Sequence, residues 1–134
     1  MNYLTTQQIF DRAALHLLTQ NEKSEGIIIS SGESELKCRY RTKVGDKTLM
    51  CGAGPFIPDD KYSGALENKT IYGLAMNGYC PEINIDDLNS LPLLTGLQGI
   101  HDCKKVSEWK QALINLAYSF SLNYKCVSNF GNNS

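Results

Sequence analysis

The side chains richest in chemical potential are five cysteines, at positions 38, 51, 80, 103 and 126, and two histidines, at 16 and 101. A structural zinc site is normally assembled from two close pairs of ligands, with two to four residues between the cysteines of a pair. Twelve residues separate Cys38 from Cys51, and His101 with Cys103 forms only an H-x-C. Cys38, Cys51, His101 and Cys103 are thus metal candidates by residue type but not by spacing, and no metal is expected. A catalytic thiol needs a depressed pKa and an orienting partner, and no C-x-x-C or thiol-protease signature surrounds any of the five. His16, Cys51, Asp59 and His101 are the set that a small enzyme or metal-dependent protein would use if folding brought them together.

The remaining motifs are weaker. Asp59-Asp60 and Asp86-Asp87 are adjacent pairs whose side chains diverge, at positions suited to turns and helix starts. Neither G-x-x-x-x-G-K-[ST] nor G-x-G-x-x-G occurs, and "GAGPF" reads as the exit of a strand into a proline-bounded loop. No catalytic residue is assigned and no cofactor is implied.

One stretch carries a clear pattern. In "LKCRYRTKVGDKTLMCGAGPFIPDD" (residues 36–60), cations stand at Lys37, Arg39, Arg41 and Lys43, alternating with Cys38, Tyr40 and Thr42. Period two is the signature of a strand with one face buried and one exposed. A turn at Gly45-Asp46 makes opposed residues sum to 91, pairing Tyr40 with Cys51 and Cys38 with Ala53. This register puts the thiols on the core face as packing and the four cations outward. Cations in a row repel one another, so an anionic partner is stabilised there; the plainer role is protection of a sheet edge.

These side chains need elements to hold them. Thr5 and Gln8 have capping-box spacing, and Phe10, Ala13, Ala14, Leu17 and Leu18 form one apolar stripe of a first helix. His16 at its margin is expected half-buried on a backbone group. Gly26 suits the helix end, "IIIS" suits a strand, and "SGES" suits a turn. A short helix is predicted over 70–77, stopped by Gly78. The next helix starts near Asn84 or Asp86, or at Ser90 with Pro92 in its first turn. The last is capped by Ser107 and buries Trp109, Leu113, Leu116, Ala117 and Phe120. The tail from 126 to 134 is polar and expected to fray. The layout is a single α+β domain over 1–134: an N-terminal helix, a small antiparallel sheet built on a hairpin at about 36–54, and two or three C-terminal helices.

Composition narrows the classes further. Of the residues, 42% are hydrophobic and 20% charged, which fits a folded chain rather than a disordered one. A net charge of −1 supplies no bulk attraction for nucleic acid or an anionic membrane. No apolar run reaches membrane-spanning length, and "MNYLTTQQIF" does not read as a secretion signal. With an odd, widely spaced set of cysteines, the expectation is a cytoplasmic protein with free thiols.

Three pieces in order resemble a family of small, uncharacterised single-domain proteins of bacteria and their phages: "IFDRAALHLLTQ", "CRYR…CGAGPFIPDDKY" and "LLTGLQGIHD…WKQAL". The shared features are a C-x-Y-R hairpin and an I-P-D motif, and about half of the chain is covered. Pro55 stands where the family pattern has a second cysteine, so any metal or redox role for that cysteine is missing here. The resemblance implies a bacterial cytoplasm, or that of the host for a phage product, and no activity. The reading that follows is a non-enzymatic interaction protein, a modulator that binds a macromolecule, protein rather than nucleic acid, through Lys37, Arg39, Arg41 and Lys43. The alternatives are the small enzyme or metal-dependent protein named above, and a nucleic-acid-binding module.

Overall fold

In the computed structural model, which describes residues 2–30 and 32–130 without the side chains of 27–30, 33–37 and 68, Thr5 opens the first helix as its spacing predicts. The Thr5 hydroxyl accepts from the Gln8 amide while the Gln8 side chain accepts from the Thr5 amide, closing two donors that helix geometry leaves open. Helix α1 runs Thr6–Gln20 and buries Ile9, Phe10, Ala13, Ala14 and Leu17. It ends at Asn21, which takes the left-handed conformation (φ 54°) expected of Gly26. Asn tolerates that region through its short polar side chain. Gly26 instead lies in a strand.

Strands β1 (Glu25–Ser30) and β2 (Glu33–Cys38) form one antiparallel pair, and β3 (Arg41–Val44) and β4 (Lys47–Met50) form another. The second pair turns at Gly45-Asp46, with Val44 opposite Lys47 and Arg41 opposite Met50, and Cys51 still donates to the Tyr40 carbonyl. The predicted register therefore holds from Tyr40 to Cys51. It stops there: Cys38 pairs with Glu25 of β1 rather than with Ala53. What reads in sequence as one long ribbon is two short ladders joined at Arg39-Tyr40.

After β4 the chain leans directly on a later helix. A Cβ at Gly52 would lie 2.4 Å from the Leu97 carbonyl oxygen, so no other residue fits without movement. Short helix α2 (Ile71–Met76) is capped by the Thr70 hydroxyl, and Gly78 follows it at φ 84°. Helix α3 spans Ser90–Cys103, with Asn89 rather than Ser90 at the cap position. A 3-10 turn at Val106–Glu108, in which the Glu108 carboxylate accepts the Lys105 amide, leads into α4 (Trp109–Ser119). Ser107 thus lies inside that turn. Helix α5 (Lys125–Ser128) buries Val127 completely, so fraying does not start at 126; residues 131–134 lie outside the described residues. Helix α1 packs on α3, α4 and α5, and α2 on α3. Trp109, Phe10, Phe56, Leu17, Leu93, Leu94, Leu97 and Leu113 are fully buried in one continuous core; each stabilises the fold by roughly 1.5–3 kcal/mol. The architecture is α+β. Among the described residues, no helix is long and apolar enough to cross a membrane.

Candidate functional site

The corner where β2 gives way to β3 gathers most of the charge singled out in the sequence. It is organised by Glu67, a residue that no motif marks. Its carboxylate accepts the Tyr40 amide at 2.8 Å, the Arg41 amide at 3.2 Å and the Tyr62 hydroxyl. Two consecutive backbone donors are thereby taken out of the strand ladder, which is the local reason the ribbon divides. The Tyr40 ring is buried, and its hydroxyl donates to the Lys69 carbonyl at 2.5 Å. Burial pushes the Tyr40 pKa upward, and burial with the nearby Glu67 carboxylate pushes Tyr62 up to about 12. Both phenols stay neutral donors.

The cations stand around this carboxylate in different states. Arg41 is largely buried, with 14% of its side chain exposed. It donates to the Ile57 carbonyl at 2.6 Å, pairs with Asp59 at 2.7 Å and stacks 4.7 Å above the Tyr62 ring. Arg39 lies across Gly26, where a Cβ would meet Arg39 Cδ at 2.5 Å, and its Nε is 3.8 Å from Glu67. Among the described residues, neither arginine Nε has a hydrogen-bond partner. Lys43 is exposed. Arg39, Arg41, Lys43, Thr48 and Tyr62 line an open groove of about 350 Å³. Lys37 pairs through its backbone with Gly26 on the other ladder, and its side chain lies outside the described residues.

A second constellation forms deeper in the fold. His101, fully buried on α3, accepts the Ser24 amide at Nε2 (2.9 Å) and donates from Nδ1 to Asp102 (2.8 Å). A backbone N–H can only donate, so Nε2 carries the lone pair and Nδ1 the proton. Asp102 also faces the Cys38 thiol, and the ligand atoms of Cys38, His101 and Asp102 lie within 4.8 Å of one another. The residue types suit a cation. The proton arrangement does not, because metal binding at Nδ1 would need an anionic imidazole or loss of the Ser24 bond. Nor is this a nucleophilic triad: the thiol faces the carboxylate rather than the imidazole. Burial and then Asp102 push the Cys38 pKa up to about 12, opposite to what a reactive thiol requires.

Of the other sequence candidates, His16, Asp59 and His101 are each held by other groups. His16 Nε2 donates to the Met50 carbonyl at 3.1 Å, and burial lowers its pKa, the half-buried role expected of it. Cys51 is fully buried, with its pKa pushed up to about 12 by desolvation. Cys103 is exposed, and all five cysteines are free thiols. No hydrogen bond or ion pair joins any two of His16, Cys51, Asp59 and His101: Asp59 is on Arg41, and each histidine is on other groups. Gln20 is a further residue without a sequence signal. Its amide bonds both the N–H and the C=O of Met50, at 2.8 and 2.9 Å, and so closes that edge of the hairpin as a neighbouring strand would. Compared with family models, with curated proteins and with solved structures, the chain matches none.

Proposed function

We propose that this chain is a non-enzymatic interaction protein that holds a macromolecular partner, a protein rather than a nucleic acid, on the corner formed by Arg39, Arg41 and Lys43. The observation that carries the reading is the groove itself: three cations converge on one open surface, with Lys43 exposed to solvent. His16, His101, Cys38 and Cys51 support the same reading, since each is held by neighbours in a way that disfavours nucleophilic or acid–base work. Immobilised wild-type protein and an Arg39→Glu/Lys43→Glu variant, both confirmed as folded by circular dichroism, should be compared for what they retain from a bacterial lysate. Species retained by the wild type and lost by the variant sustain the proposal. Identical sets on both overturn it.

A further inference from the structure

Resting on that reading of the corner, we infer that the group it recognises is a carboxylate on an extended acidic polypeptide segment, and that Asp59 is an internal stand-in which the segment displaces. Arg41 is held before any ligand arrives. The Ile57 carbonyl fixes one end of its guanidinium and the Tyr62 ring lies beneath it. The remaining end holds Asp59, whose side chain is 93% exposed and has no other hydrogen bond or ion pair among the described residues. With its carboxylate in solvent the pair is screened and contributes little, so another carboxylate can replace Asp59 at small cost. The site is thus shaped to a carboxylate, because a carboxylate already occupies it.

The neighbouring cations extend the same preference. Glu67 is satisfied by Tyr40, Arg41 and Tyr62, which leaves the 3.8 Å approach of Arg39 as a loose contact. Arg41 and Lys43 are two residues apart on β3, a spacing of about 6.6 Å along a strand. Alternate acidic side chains of an extended peptide have that same repeat. Nucleic acid fits less well: the Tyr62 face is covered by Arg41, so it offers no platform for a base, and the net charge is −1.

The test uses a fluorescein-labelled peptide alternating Glu with Thr, its Gln counterpart, and a single-stranded oligonucleotide of equal charge, at low ionic strength. Against the Glu peptide, Asp59→Asn is expected to tighten Kd by up to about fivefold, the competition that one exposed pair can exert. Asp60→Asn, which removes the same charge one residue along, is expected to change it by less than about twofold. Arg39→Glu/Lys43→Glu should abolish binding, and the Gln peptide should not bind. Equal effects of the two Asp variants, or weaker binding by Asp59→Asn, overturn the inference. Oligonucleotide binding that is lost in the double variant, without peptide binding, also overturns it yet leaves the corner a contact surface. Absence of binding by either probe overturns the inference alone, since the lysate comparison decides the broader role independently.

Discussion

The corner at Tyr40 and the centre at His101 are built from the same kinds of group, yet they close their hydrogen bonds in opposite ways. At His101 both ring nitrogens are engaged, one by a backbone donor and one by a carboxylate, and the ring is fully buried beside Trp109, with ring centres 5.7 Å apart. At the corner Glu67 is equally well satisfied, but the cations around it are not: among the described residues both arginine Nε atoms lack a hydrogen-bond partner, and Lys43 and Asp59 face solvent. A constellation whose donors and acceptors are all matched internally has its role in the fold. One that leaves charge unmatched at the surface has something to offer a partner. Residue type alone would have ranked the two sites the other way round.

The largest effect should come from His101→Ala. It removes the acceptor of a buried amide and leaves a void beside Trp109, and should cost about 3 kcal/mol or more in urea unfolding. A loss below about 1 kcal/mol would mean that the centre is not the fully matched one described. Glu67→Gln is next. The amide keeps the size but loses one acceptor oxygen of the three-donor arrangement, at a cost of about 1–3 kcal/mol by thermal melting.

The alkaline limb separates the buried thiols from the exposed corner. Cys51 titrates near 9 when unfolded and about 12 in the fold, so the folded state holds this proton more tightly. Its contribution is fully present below pH 9 and is lost as pH rises from 9 toward 12. Unfolding followed at about pH 8 and about pH 10.5 should therefore show a smaller alkaline loss in Cys51→Ala than in wild type. Lys43→Glu should alter stability by no more than about 0.5 kcal/mol while removing partner capture. Smallest of all, zinc should leave Tm unchanged; a rise that disappears in Cys38→Ala would break the tautomer argument at His101 and erase the contrast between the two regions.

Much of the frame was legible because it depends on near neighbours. Thr5 and Gln8 are three residues apart, and their exchange needs nothing but a helix. The Gly45-Asp46 turn sets the pairing from Arg41 to Met50 through the turn alone, and the stripe on α1 follows from helix periodicity. The helix end at Asn21 rather than Gly26 was a choice between two residues that both tolerate the left-handed region. The site was less legible. Arg39, Arg41 and Lys43 do share a surface, but Glu67, which makes that surface a corner, lies 27 and 26 residues from the amides it accepts and sits in no recognisable pattern.

By itself, then, the sequence determined the α+β class, the Thr5 capping box, the tight turn and the inward face of Tyr40, Leu49 and Cys51, since each follows from local geometry and hydrophobic alternation. Only the tertiary structure decided where the ribbon divides, which cations keep free charge and why the metal-like trio at Cys38, His101 and Asp102 is closed. Those outcomes turn on single donors and acceptors from distant segments, such as the Ser24 amide on His101 and the Glu67 carboxylate at Tyr40. A buried hydrogen bond selects its partner by position in space, and position is what the packed core supplies.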